Sequence, residues 1–204
     1  ILVYSFLNST ATTMFAGIEA VKRGLAKPIG SFTQMGKIRL GKRNESRIVE
    51  VKKFLPFSDL DRLVFGAWDI FPDNAYEAAK KAKVLEPTLL EQVRAPLEKI
   101  QPMSAVFDPE YIRKISGENI KKGKSKMDLA EQLRDDIKKF SRDHNLSRLV
   151  MVWCASTESY IRLGSVHQSL AKFEEGLRKN DPGIAPSMIY TYAALMERVP
   201  YANG

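Results

Sequence analysis

The chain has 204 residues, 44% of them hydrophobic and 27% charged, with a net charge of +8 from 32 basic and 24 acidic side chains. That length supports one sizeable core, and the balance is that of an ordinary globular domain. No apolar run approaches the ~20 residues of a membrane-spanning helix, and one cysteine with two distant histidines excludes both an internal disulfide and a zinc-type ligand cluster.

The apolar run over 1–4 predicts a buried strand over 1–6. Ala11, Phe15, Ile18 and Val21 recur at helical spacing and predict a helix over 10–23, with Gly24 placed as a left-handed cap. Residues 25–60 interleave glycine, proline and charge, which predicts loops with short strands. RLVFGAWDI, 62–70, predicts a second buried strand running into Asp69. The following PDNAYEAAKKAKVL is expected to be helical, with Pro72 early in the helix, where a missing N–H costs nothing.

Leu89, Leu90, Val93 and Leu97 predict a further helix over 86–100, and the proline-marked QPMSAVFDPEYI predicts a loop. An amphipathic helix is expected over 125–142, carried by Met127, Leu129, Leu133, Ile137 and Phe140. SRLVMVWCAST, 147–157, predicts a strongly apolar strand that stops at small polar residues. Two more helices are expected near 166–178 and 186–197, the latter entered through Pro186, and a last strand begins at 199–202.

Apolar strands separated by helices predict an α/β fold, with a mostly parallel sheet covered by helices on both faces. Ligands of such sheets bind beyond the carboxyl ends of the strands. The residues to weigh are therefore 5–10, 67–70 and 154–158. At the first end, Ser9, Thr10 and Thr12 are candidates to cap a helix and offer hydroxyls to a phosphate, aided by free backbone N–H groups and the helix dipole. Glycines usual in such a turn are replaced by Ser5 and Asn8; Asn8 tolerates the left-handed region. A capped helix without ligand is the alternative.

At the second end, Asp69 is placed to accept from ribose hydroxyls, or else to cap a helix, a task for which Asp73 and Asn74 stand nearer. At the third, Ser156, Thr157 and nearby amides can meet a ribose or an amide. Cys154 has no histidine near it in sequence and reads as a small buried residue rather than a nucleophile. The basic block NIKKGKSK, 119–126, suits phosphates, yet no nucleic-acid module or aromatic ladder accompanies it. A solvated loop leading into a helix is its plainer reading.

Five stretches, in order, resemble the inositol-3-phosphate synthase family: GIEAVKRGLAKPIGSFTQMGKIRLGKR, FGAWDIFPDNAYEAAKKAKVLEP, PMSAVFDPEYI, VMVWCASTESY and IAPSMIYTYAALMERVPYANG. The similarity covers essentially the whole chain. It implies that 1–204 is a Rossmann-like NAD-binding domain, the amino-terminal portion of a cytoplasmic, homotetrameric isomerase of inositol and phospholipid biosynthesis. NAD would oxidise C5 of glucose 6-phosphate; enolisation, closure of C6 onto C1 and return of the hydride would give inositol phosphate.

The resemblance places Ser5, Asn8, Ser9 and Thr10 on the pyrophosphate turn and Asp69 on the adenosine ribose. Ala105 and Val106 fall beside the adenine, and Ala155, Ser156 and Thr157 along the cofactor. It assigns no metal, membrane or nucleic-acid partner and no catalytic residue within the chain. The family's lysines and tetramerisation sheet lie after the Asn-Gly exit, and Lys22, Lys27, Lys37 and Lys42 read as surface residues. The chain lacks an initiator methionine and ends on VPYANG, so it reads as a segment, inactive alone. The substituted glycines support an alternative: a paralogue with altered or lost synthase activity.

Overall fold

The computed structural model describes residues 1–5 and 8–203. The amino-terminal half contains β1 (Leu2–Tyr4), α1 (Ser9–Lys22), α2 (Phe32–Met35), β2 (Lys37–Leu40), β3 (Arg47–Glu50), α3 (Val51–Phe54), β4 (Gly66–Asp69) and α4 (Ala75–Ala82). Then follow α5 (Pro87–Gln92), α6 (Arg94–Glu98), β5 (Pro102–Ser104), α7 (Lys126–Asp143), β6 (Met151–Trp153), α8 (Leu170–Lys179), α9 (Pro186–Met196) and β7 (Tyr201–Asn203). Five strands form one sheet in the order β5-β4-β1-β6-β7, with every neighbouring pair parallel. β2 and β3 make a separate antiparallel pair. Among the described residues, no helix is long and apolar enough to cross a membrane.

Side chains alternate across the central strands, so the sheet has two buried faces. Leu2, Tyr4 and Trp68 pack with Leu133, Ile137, Leu177 and Tyr190 of α7, α8 and α9. Val3 and Ala67 face the other way, onto Phe15 and Ala16 of α1, Ala78 of α4 and Leu97 of α6. Full burial of a side chain such as Leu2 or Phe15 contributes roughly 1.5–3 kcal/mol each, so a sheet covered on both faces needs strands that are apolar throughout.

The expected helix over 10–23 runs Ser9–Lys22, and Gly24 follows it with φ +71°, in the left-handed region. Phe6, at the end of the strand expected over 1–6, lies outside the described residues. Pro72 is not in a helix: α4 starts at Ala75, where Asn74 Oδ1 accepts from Glu77 N–H and Asn74 N–H donates to the Glu77 carboxylate. This reciprocal cap fixes the start more strongly than a proline does.

The single helix expected over 86–100 is two helices broken at Val93. Pro96 has no N–H to return to the Gln92 carbonyl, and that carbonyl instead accepts from Arg23 Nη1 at 3.2 Å. The expected loop after Gln101 contains strand β5, and the strand expected over 147–157 is confined to Met151–Trp153.

Candidate functional site

The strand order reverses at β1, whose two neighbours are β4 and β6. Tyr4 stands in register with Trp68 and with Trp153, so the chain leaves the sheet at Ser5, Asp69 and Cys154 side by side. Ser5 N–H donates to Trp68 O at 3.0 Å, and Cys154 N–H donates to Tyr4 O at 3.2 Å. A cleft of about 160 Å³ opens there, lined by Ser5, Asn8, Asp69, Ile112, Ile115 and Ser156 among others.

A working phosphate turn would put Asn8 in a left-handed or turn conformation, and the left-handed one that asparagine tolerates is not adopted. Asn8 is extended, with φ −78° and ψ 155°, and it is the cap of α1. Its Oδ1 accepts from Ala11 N–H at 2.9 Å and its Nδ2 donates to the Cys154 carbonyl. The left-handed residue is Ser5, at φ 58°. The asparagine is held in the extended region because its two ends tie the start of α1 to the end of β6. Residues 6 and 7 lie outside the described residues.

Thr12 does not offer its hydroxyl to a ligand. It is buried, and its Oγ1 donates towards the carbonyls of Asn8 and Ser9. Ser9 and Thr10 stand exposed in the first turn of α1, where backbone N–H groups have no partner within the helix and the dipole favours an anion.

Asp69 is 3% exposed, yet it lines the cleft. Its Oδ1 accepts from Phe71 N–H at 3.0 Å, which turns the carboxylate back over the strand end. It caps no helix, since Asn74 does that for α4. Ala155 and Ser156 line the same cleft, whereas Thr157 is exposed beside it. Ala105 and Val106 follow β5 and are buried in the core, with Val106 N–H donating to Tyr190 Oη at 2.9 Å. The structure thus brings together Ser5, Asn8, Asp69, Ala155 and Ser156, and leaves Ala105 and Val106 outside the cleft lining.

Tyr4 also lines the cleft, stacked on Trp153 with ring centroids 4.1 Å apart. Burial, then the Asp69 and Glu158 carboxylates, push its phenol above the ordinary range, and its Oη donates to Val106 O at 3.3 Å. It is a neutral phenol rather than a base. Burial likewise raises the Cys154 thiol, which disfavours the nucleophilic thiolate. Glu158 lies close by, its carboxyl raised by burial and held at the start of α9 by Ser187 N–H at 2.9 Å and Ser187 Oγ at 2.5 Å. In the basic block, Lys121 pairs with Asp136 at 2.8 Å and Lys126 donates to the carbonyls of Asp181 and Ile184. Those two charges are engaged in holding the fold.

Sequence reasoning missed the cleft wall formed by Ile112 and Ile115. Two isoleucines in a charged loop carry no local signal of where that loop folds.

The donor set suits a dinucleotide: first-turn N–H groups at α1 for a pyrophosphate, a carboxylate at the end of the neighbouring strand for a ribose, and apolar walls for a ring. Among the described residues, the dissonant element is the Cβ of Ser5, where a glycine would leave space. Sheet order and site together define a doubly wound α/β domain of the Rossmann-like class. The chain belongs to the myo-inositol-1-phosphate synthase family, whose NAD-binding model matches residues 1–204.

It is 45% identical over 205 residues to inositol-3-phosphate synthase 1 of Bacteroides thetaiotaomicron, covering all of this chain and 47% of that protein. Identity to inositol-3-phosphate synthase 1 of Oryza sativa subsp. japonica is 30% over 219 residues, again across the whole chain and 43% of the relative. The crystal structure of inositol-3-phosphate synthase from Caenorhabditis elegans superimposes with a TM-score of 0.90 at 28% identity, over 98% of this chain and 42% of that one. The chain therefore spans less than half the length of these relatives. Both curated relatives are named as synthases, and nothing in them favours a paralogue of altered activity.

Proposed function

We propose that this chain is the NAD-binding part of an inositol-3-phosphate synthase that converts glucose 6-phosphate to inositol phosphate. The observation that carries the reading is the meeting of Asp69, Ser5, Asn8 and the start of α1 around one cleft at the strand-order reversal. Asp69 would accept from the adenosine ribose, while the first turn of α1, with Ser9 and Thr10, would face the pyrophosphate. Ala155 and Ser156 would border the cofactor on the β6 side. When bound, NAD supplies a hydride acceptor that later returns the hydride. The residues of this chain bind and orient it.

Turnover would need groups that this cleft does not present. Among the described lining residues there is no lysine or histidine, and the one carboxylate is bonded to Phe71 N–H. The reading predicts that the 204-residue chain binds NAD but does not convert glucose 6-phosphate alone. Inositol phosphate release measured with added NAD checks this, and robust turnover by the chain would overturn it.

A further inference from the structure

After β5 the chain makes an excursion through the cleft wall and returns at 117–121 beside the carboxyl ends of β4 and β5. Ala105 and Ile120 form a parallel bridge, with Ala105 N–H donating to Asn119 O at 3.0 Å and Lys121 N–H to Ala105 O at 2.8 Å. Asn119 N–H donates to Ile70 O at 2.8 Å. The side chain of Asn119 reaches both strands. Its Nδ2 donates to Asp69 O at 2.9 Å and, more weakly, to Met103 O at 3.4 Å, while its Oδ1 accepts from Ser104 Oγ at 2.7 Å.

Two further contacts hold this strap. Gly117 lies directly on Ile70, where an added Cβ would come within 2.2 Å of the Ile70 carbonyl oxygen. At the other end, Lys121 Nζ meets Asp136 at 2.8 Å, and the same carboxylate accepts from the buried Trp68 Nε1 at 2.7 Å. The carbonyls of Asp69 and Ile70 are thus each fixed by a donor from Asn119. The Asp69 carboxylate in turn accepts from the N–H of Phe71, the residue after Ile70.

We infer that the 117–121 strap, acting through Asn119, is the positioning device that aims Asp69 into the cleft. Asn119 does not line the cleft; it acts on the backbone that carries the carboxylate. A functional carboxylate must be held within about 0.5 Å of its productive position. A strand end does not achieve this unaided, because its last carbonyls have no neighbour to pair with. The inference rests on the reading of Asp69 as the ribose acceptor.

The test uses the whole 204-residue chain and two titrants: NAD, and an NAD analogue whose adenosine ribose lacks its 2′- and 3′-hydroxyls. Asn119→Asp keeps the size and the acceptor for Ser104 but sets an oxygen against the Asp69 carbonyl. Gly117→Ala pushes the strap off Ile70 by a separate route. Each variant is expected to weaken NAD binding about ten-fold, as losing one well-placed charge-assisted bond does, and to leave the analogue within about two-fold of its wild-type affinity. The inference is overturned if both variants fold and bind NAD as the wild type does, or if both titrants weaken equally. If Asn119→Asp does not fold, Gly117→Ala and Ser104→Ala carry the same comparison. Absence of NAD binding by the wild type overturns the cofactor reading itself, and the inference with it.

Discussion

Ser5 occupies φ 58°, a conformation that glycine adopts freely and other residues do not. The left-handed region costs an L-residue roughly 1–2 kcal/mol, from the approach of Cβ to the backbone. Ser5→Gly removes that cost in the folded chain but adds about 0.5–1 kcal/mol of backbone entropy to be lost on folding. The net expectation is a stabilisation of about 0.5–1 kcal/mol, or a two- to five-fold shift in the folding equilibrium. Ser5→Ala separates the causes, because it keeps the strain and removes only the hydroxyl. Urea unfolding at unchanged slope should place the glycine variant above wild type and the alanine variant at or below it. The reasoning is refuted if the glycine variant is no more stable than wild type. The same change clears a side chain from the cleft lining, so NAD should bind more tightly to Ser5→Gly than to Ser5→Ala.

Asn8→Ala should cost about 1–2 kcal/mol, since the cap to Ala11 N–H and the tie to the Cys154 carbonyl are lost together; a loss near zero in thermal unfolding would contradict the bridging role. Burial holds the Glu158 carboxyl above its ordinary value in the fold, against two hydrogen bonds from Ser187 that lower it. A carboxyl raised in the fold adds stability that is full below its unfolded pKa and is lost as pH rises through its folded pKa. Glu158→Gln cannot ionise, so its stability relative to wild type should climb from the ordinary carboxylate range towards neutrality. A difference that is flat with pH in melting experiments would show that the shift is absent.

Strands β1, β4 and β6 were legible because burial on both faces demands continuous apolar runs, and those runs end where the cleft begins. The ends of those strands led to Ser5, Asp69 and Ser156 without reference to any distant contact, whereas Ala155 came only from the family resemblance. β5 was not legible. It is three residues, Pro102–Ser104, with a proline at its first position, which in sequence reads as a loop although an edge strand tolerates it. The break at Val93 has its sequence signal in Pro96, whereas the helix over 86–100 was read from the spacing of Leu89, Leu90, Val93 and Leu97 alone.

Within the turn, general preference favoured Asn8 over Ser5 for the left-handed position. The structure reverses this because the Asn8 side chain has two specific partners, one of them 146 positions away in sequence. Non-local bonds of this kind leave no trace in spacing. The same holds for Asn119, which meets Asp69, Met103 and Ser104 only once β4 and β5 are paired.

If the cleft at Ser5, Asn8 and Asp69 takes NAD, the Asp69 carboxylate carries part of the affinity. Calorimetric titration of NAD into the 204-residue chain and its Asp69→Ala variant tests it most directly. Hydrogen bonds to a charged group are worth about 1.5–3 kcal/mol. Saturable binding by the wild type is therefore expected, weakened about ten- to a hundred-fold in the variant. No binding by the wild type, or equal affinity in both proteins, would show that this cleft is not an NAD site.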